Sequence, residues 1–213
     1  MKMREQIVAK QLLQIKAIKL EPAKPFLWAS GWHSPIYCDN RLILSFPEIR
    51  NFIIESFCEL VRSVYPTAGV IAGVATGAIA HGALVADRLG LPFAYVRPSP
   101  KTHGLENLIE GLVNAEDRVV VIEDLVSTGK SSLNAVEALR SAGCEVMGML
   151  AIFSYGFQIA AENFSRQSCR LHSLTNYDTM IMVAQDMGII NKDHLETMNE
   201  WRKKPDEWGS INQ

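Results

Sequence analysis

Between Val119 and Ser131 the chain reads VVVIEDLVSTGKS, and no other stretch concentrates as much chemistry. Val119 to Ile122 is apolar and β-branched, the composition of a buried strand. Two acids follow, Glu123 and Asp124, then Leu125 and Val126, then Ser127-Thr128-Gly129-Lys130-Ser131. A strand that runs into acids delivers them to the C-terminal edge of an α/β sheet, where ligands bind. Small residues let backbone N–H groups approach a phosphate closely, and a helix that follows adds the positive end of its dipole. Gly129 permits backbone angles that a side chain resists. A phosphate alone does not need two carboxylates. Acids beside an anion site suit hydroxyl groups or help with a metal. A ribose 5-phosphate answers both halves of the motif, with hydroxyls for the acids and a phosphate for the loop.

Gly129-Lys130-Ser131 also looks like the end of a P-loop, GxxxxGK[ST]. That motif requires glycine five positions before Gly129, and Asp124 stands there. An ordinary P-loop kinase or GTPase is therefore rejected. The segment resembles the phosphoribosyl pyrophosphate signature of type I phosphoribosyltransferases: four apolar residues, an acid pair, two apolar residues and a small-residue loop. Chance acids on a strand-turn-helix do not produce a match this long and chemically varied. The resemblance implies a binding segment of Glu123, Asp124, Leu125, Val126, Ser127, Thr128, Gly129, Lys130 and Ser131. In it the two acids accept the ribose hydroxyls, Ser127 through Ser131 cradle the 5-phosphate, and Ser127 also lies near the base.

Upstream, Arg97 to Gly111 reads RPSPKTHGLENLIEG, with two prolines and no apolar period. A long irregular stretch inside a compact domain is usually functional or disordered. Its cations, Arg97, Lys101 and His103, suit a pyrophosphate leaving group, which gains negative charge as the glycosidic bond breaks. A closing lid also excludes water from an oxocarbenium-like sugar. The plainer reading, a solvated loop with incidental charges, stays open on composition alone. In orotate phosphoribosyltransferases a loop of similar pattern, arginine then lysine then His-Gly, binds pyrophosphate oxygens and typically reaches into the neighbouring subunit's site. The resemblance thus places Arg97, Lys101 and His103 on phosphoribosyl pyrophosphate, with Lys101 and Asp124 as the catalytic pair. Many relatives carry a further lysine after the arginine, where this chain has Pro98. A second loop, Gly73-Val74-Ala75-Thr76-Gly77, has the small residues that let amides contact pyrophosphate, or is a plain strand-to-helix turn. The resemblance places a strained or cis peptide near Ala75-Thr76-Gly77. Some relatives have lysine at the position of Gly77.

The acceptor is written nearer the N-terminus. Leu27 to Arg41, LWASGWHSPIYCDNR, resembles the SG…SP-aromatic segment of the orotate enzymes. There, backbone groups at the positions of Ile36 and Tyr37 hydrogen-bond the pyrimidine edge. Some relatives have lysine in place of Ala29, and some an arginine where this chain has Phe153-Ser154-Tyr155-Gly156. Arg41 is the alternative partner for the orotate carboxylate. A structural salt bridge is the equal competing reading for Arg41.

The elements that must hold these residues alternate. Apolar positions at Ile7, Val8, Leu12, Ile15 and Ile18 predict a helix over Met3–Leu20, stopped by Pro22 and Pro25. Ser34–Asn40 reads as a short strand. Ser45 and Glu48 have capping-box spacing with Pro47 in the first turn, and the stripe Ile49, Phe52, Ile53, Phe57, Leu60, Val61, Val64 carries that helix to Pro66. Strands are predicted at 69–75, 92–96, 119–122, 145–153 and 171–174. Helices are predicted at 78–89, 131–142, 157–166 and 178–187, and the tail reads as helical and polar. Strands without polar alternation, separated by helices, argue for a mostly parallel sheet covered on both faces.

Length and composition bound the rest. A chain of 213 residues suits one domain with a sizeable core. A hydrophobic share of 48% with 21% charged residues is that of a soluble globular protein. Net charge −2 gives no basic field for nucleic acid. Cys38, Cys58, Cys144 and Cys169 lack CxxC spacing, which disfavours a zinc site or a disulfide framework and fits reduced thiols in the cytoplasm. The charged N-terminus lacks the apolar stretch of a signal peptide, and no run is long enough for a membrane span.

These readings converge on an α/β chain with the type I phosphoribosyltransferase fold, a mostly parallel sheet flanked by helices with an N-terminal hood. One domain is expected over residues 1–213, with the hood at 1–45, the core at 46–175 and a helical C-terminal part at 176–213. The resemblance implies orotate and phosphoribosyl pyrophosphate as substrates, orotidine monophosphate and pyrophosphate as products in pyrimidine biosynthesis, and Mg²⁺ held mainly by substrate. It also implies a cytoplasmic homodimer without nucleic-acid or membrane partners. A purine or xanthine phosphoribosyltransferase, or a non-catalytic sensor of phosphoribosyl pyrophosphate with the same fold, are the rival readings.

Overall fold

A computed structural model describes residues 2–28, 31–99 and 108–208. The chain opens with helix α1 (Lys2–Gln14), which buries Val8, Ala9, Leu12 and Leu13. The predicted helix extends further, to Leu20. Instead Lys16 adopts a left-handed backbone (φ 57°), which an α-helix cannot contain. Ile18 is buried, but in strand β1 (Ile18–Leu20). Two short strands follow, β2 (Phe26–Leu27) and β3 (His33–Ser34), paired antiparallel. Strand β4 (Ile36–Cys38) pairs antiparallel with β1, setting Lys19 opposite Tyr37. A 3-10 turn over Asn40–Ser45 leads out.

Helix α2 (Pro47–Val64) begins with proline at its first position, as predicted, but the capping box is not made. Phe46 is the N-cap, in extended conformation (φ −118°, ψ 90°), and no side chain caps it. The ring of a proline disfavours helical angles in the residue before it, so the boundary falls at Phe46 and not at Ser45. The core then alternates: β5 (Val70–Val74), α3 (Ile79–Leu89), β6 (Phe93–Val96), β7 (Ile109–Glu110), β8 (Arg118–Val126), α4 (Lys130–Ser141), β9 (Glu145–Ser154), α5 (Gln158–Arg166) and β10 (Leu171–Asn176). Gly90 closes α3 in the left-handed conformation (φ 67°). Helices α6 (Tyr177–Asp186) and α7 (Lys192–Lys203) complete the chain.

The six-stranded sheet has the order β10-β9-β8-β5-β6-β7. Pairs β5–β6, β5–β8 and β8–β9 are parallel, and only the edge pair β6–β7 is shown antiparallel. Strand period explains how two helical layers share it. Val70, Ala72 and Val74 of β5 and Val119 and Val121 of β8 join Leu133, Val136 and Leu139 of α4 in one core cluster. The intervening residues face the other side, where Gly73 lies against Gly82 of α3. Ile71 and Ile122 are fully buried there. Each such side chain contributes about 1.5–3 kcal/mol of burial energy.

Residues divide into two compact units, 44–174 around this sheet and a second made of 1–43 with 175–213. In the second, α1 packs on α6. Trp201 of the polar tail is fully buried, and its indole donates to the His33 carbonyl at 3.2 Å. Its ring meets Trp28 edge-on, 5.8 Å between centroids, while Trp28 stacks on Trp32 at 6.3 Å. The tail is thus tied to the base-segment strands by an aromatic cluster in which the Trp28 and Trp201 N–H groups both find carbonyls. Among the described residues no helix is long and apolar enough to cross a membrane.

Candidate active site

The motif strand is longer than its apolar run. β8 continues through Glu123 and Asp124 to Val126, although acids are poor strand formers. Pairing overrides propensity here. β5 stops at the Gly73–Ile122 register, whereas β9 accompanies β8 to Val126 opposite Ser154. The acids therefore sit on a strand end held from one side and open on the other.

The two carboxyls are in contact, the Asp124 side chain sharing a hydrogen bond with Glu123. Asp124 is half-buried and lies against Gly77, just after β5. A Cβ on Gly77 would overlap the Asp124 carboxylate, so the bare glycine is what admits the acid. The Ala75–Thr76 peptide in the same loop is cis, at the place the sequence pointed to. Glu123 is only 4% exposed. Its Oε2 accepts from Ser132 Oγ at 2.7 Å and its Oε1 from the Asp124 N–H at 3.0 Å. Burial pushes the Glu123 carboxyl well above the usual carboxylate range, and the Asp124 charge adds to the rise.

After β8, Ser127, Thr128 and Gly129 turn into α4, whose first residues Lys130 and Ser131 are exposed. Gly129 is the N-cap with φ 78°, where a Cβ would stand 2.7 Å from the Phe164 ring. Both the angle and the space demand glycine. The first N–H groups of a helix have no intrahelical acceptor, so this turn offers donors and a positive dipole end to an anion. The loop is braced from α5, where Asn163 Nδ2 donates to the Thr128 carbonyl at 3.0 Å. A carboxylate acceptor and an anion-binding turn thus share one strand end.

Residues 58–183 match the phosphoribosyl transferase domain family. An orotate phosphoribosyltransferase of Cytophaga hutchinsonii is 54% identical over 201 residues, 94% of this chain and 96% of that one. The chain belongs to the orotate phosphoribosyltransferase family. The relative of that name in Porphyromonas gingivalis is 53% identical over 209 residues, 98% of this chain and the whole of the other. The crystal structure of orotate phosphoribosyltransferase from Aeropyrum pernix has the same fold, with TM-score 0.75 and 30% identity over 86% of this chain and 99% of that one.

Other residues expected at an orotate phosphoribosyltransferase site fall into three groups. Lys101 and His103 lie outside the described residues. Arg97 follows β6, its N–H donating to the Leu108 carbonyl at 2.8 Å and its guanidinium 3.5 Å from Glu110. The irregular stretch is therefore shorter than predicted, because Ile109–Glu110 pairs with β6 as a strand. Two residues are too few for a periodic signal. The third group is the base segment. Ile36 donates to Ser34 Oγ at 3.1 Å, and its carbonyl accepts from Trp28 Nε1 and Ser34 Oγ, both at 2.9 Å. Tyr37 is partly exposed, with the Phe26 ring 5.5 Å away. Arg41 is exposed and paired with Asp39 through two bonds, 2.6 and 2.9 Å. The bonds from Arg41 hold the Asp39 carboxyl below its ordinary pKa.

The sequence reading missed Ser132, Asn163 and Phe164. Ser132 followed the motif with nothing to separate it from the exposed Ser131. Asn163 and Phe164 come from a helix 35 residues beyond Thr128, and no local pattern announces them. Among the described residues no three His, Cys, Asp or Glu side chains are grouped as a metal cage.

Proposed function

We propose that the chain transfers the 5-phosphoribosyl group from phosphoribosyl pyrophosphate to orotate, giving orotidine monophosphate and pyrophosphate. The observation that carries this reading is the strand end where Asp124 and the first turn of α4 lie together, in a chain more than half identical to named orotate phosphoribosyltransferases. The 5-phosphate is received by N–H groups of Ser127 through Ser131, and the ribose hydroxyls by the acid pair, Glu123 and Asp124. The C1–oxygen bond to pyrophosphate breaks and a C1–nitrogen bond to orotate forms. Orotate brings an acidic ring nitrogen, so little base catalysis is needed. What remains is positioning, stabilisation of the leaving group and exclusion of water. Lys101, with Arg97 and His103, supplies positive charge to the departing pyrophosphate.

Mg²⁺ suits this donor set, because it prefers phosphate oxygens and water to an all-protein cage. When bound with substrate it neutralises charge on the pyrophosphate. A homodimer in the cytoplasm completes the reading, as the family resemblance implies. For the base, the family resemblance assigns the pyrimidine edge to backbone groups at Ile36 and Tyr37, and gives Ser127 a part in base binding. The Ser34 hydroxyl that now occupies Ile36 is a free rotor and can yield its bonds to a ligand. Arg41 is the partner for the orotate carboxylate, released from Asp39. Arg41→Ala is then expected to raise the KM for orotate about tenfold, the loss of one charge-assisted hydrogen bond. An unchanged orotate KM assigns Arg41 to its salt bridge with Asp39 alone.

Base competition tests the activity. Purified protein given phosphoribosyl pyrophosphate, Mg²⁺ and equimolar orotate, hypoxanthine and xanthine is expected to consume orotate only. Consumption of a purine with orotate untouched refutes the assignment.

A further inference from the structure

We propose that Asn163 of α5 is a positioning residue for phosphoribosyl pyrophosphate: by gripping the Thr128 carbonyl it keeps the Thr128–Gly129 peptide with its N–H turned toward the 5-phosphate. This rests on the phosphoribosyl-transfer reading above, in which the turn from Ser127 to Ser131 receives that phosphate.

The gripped peptide is the weak point of the turn. Gly129 is the N-cap of α4 with φ 78°. Glycine accepts positive and negative φ about equally well, so the peptide before it can turn over. In a trans peptide the carbonyl and the N–H point to opposite sides of the chain. An overturned peptide therefore withdraws a donor from the anion and presents a carbonyl oxygen in its place. Repulsion would replace attraction at the start of α4, where the first N–H groups are the ones left for a ligand.

Helix α5 opposes that motion. Asn163 Nδ2 donates to the Thr128 carbonyl at 3.0 Å and so fixes the side to which this carbonyl turns. The next residue, Phe164, is 4% exposed, and its ring lies 2.7 Å from where a Cβ on Gly129 would stand. Two successive residues of one helix thus bear on two successive residues of the turn. A carbonyl that accepts is also polarised, which makes the N–H of its peptide a stronger donor. The place of α5 does not depend on Asn163. Arg140 of α4 donates to the Gln167 and Ser168 carbonyls at the far end of α5, at 2.7 and 3.3 Å, and Ala160 and Phe164 are buried in the core cluster. Asn163 itself is partly exposed, beside a groove lined by Lys130, Ile159 and Arg166. Loss of its amide therefore costs the turn more than the fold.

The test uses the full chain in Mg²⁺, with the Kd for orotidine monophosphate and for pyrophosphate measured by calorimetry beside steady-state kinetics. Only the first of these ligands carries the 5-phosphate. Asn163→Ala is expected to raise the Kd for orotidine monophosphate and the KM for phosphoribosyl pyrophosphate about fivefold to tenfold, the scale of one hydrogen bond. The Kd for pyrophosphate and kcat are expected to stay within about twofold, since a loosened cradle weakens ground state and transition state alike. Asn163→His keeps a donor, with Nδ1 at nearly the place of the asparagine nitrogen and the groove open to the ring. It is expected to bring the Kd for orotidine monophosphate back to within about threefold of wild type. Equal weakening of both ligands by Asn163→Ala, with a lower melting temperature, makes the residue structural and overturns the proposal. Unmoved Kd and KM overturn it as well, and so does an Asn163→His protein as weak as Asn163→Ala. If the wild-type chain binds no orotidine monophosphate and forms none, the functional reading falls first. Normal turnover in wild type, matched by Asn163→Ala, removes Asn163 alone.

Discussion

Asp124→Asn is expected to lower kcat/KM for phosphoribosyl pyrophosphate by about two to three orders of magnitude while the protein stays folded. Two ribose hydroxyls donating to a carboxylate are charge-assisted bonds, each about 1.5–3 kcal/mol. Replacing the charge with an amide forfeits most of both, or about 3–4 kcal/mol, and each 1.4 kcal/mol is about tenfold in rate. The loss grows in the transition state, where the sugar carries positive charge and the nearby carboxylate opposes it. Asparagine has the same shape, and Asp124 is only half-buried, so packing against Gly77 survives. Stopped assays at varied phosphoribosyl pyrophosphate, with a melting curve as control, read this out. A loss below tenfold with unchanged melting removes Asp124 from the ribose.

Lys101→Ala is expected to act on a different parameter. In the proposed role its cation meets charge that develops on pyrophosphate as the C1–oxygen bond breaks, an interaction stronger in the transition state than before it. Loss of one such donor typically costs about 10²–10³ in kcat. The KM for phosphoribosyl pyrophosphate is expected to change far less. Pre-steady-state rates in the presence of Mg²⁺ separate chemistry from product release. Near-normal turnover removes the lid lysine from catalysis.

Much of the core was legible because period and punctuation agree there. The run GVIAGVA has strand length without alternation, and β5 is buried throughout. Leu133, Val136 and Leu139 predicted one helical face and form it, beneath a Gly143 with φ 88°. The errors share a cause, which is a partner distant in sequence. Ile15 and Ile18 continue the spacing of α1, yet Ile18 belongs to a strand because β4 is there to pair with it. Glu123 to Val126 reads as loop until β9 is known to extend beside it. Ser45 had the spacing of a cap, but the ring of Pro47 decided the conformation one residue later.

The site was legible as chemistry and less so as geometry. The motif places an acid pair, a small-residue turn and a helix start in order, and the structure brings Asp124 and that helix start to one strand end. The motif cannot tell that Glu123 is buried and bonded to Ser132 while Asp124 stays half-buried, since that follows from a strand extension that did not read as strand. The residues bonded across the turn into α4, Ser132 and Asn163, carry no motif. In the base segment, spacing could not distinguish a free Arg41 from one bonded to Asp39 two residues away.

Product stoichiometry tests the central claim most directly. Incubated with orotate, phosphoribosyl pyrophosphate and Mg²⁺, the purified chain is expected to release one pyrophosphate for each orotidine monophosphate formed, with the rate falling to background on removal of orotate or chelation of Mg²⁺. Pyrophosphate released without orotidine monophosphate, or orotate left intact under these conditions, contradicts it.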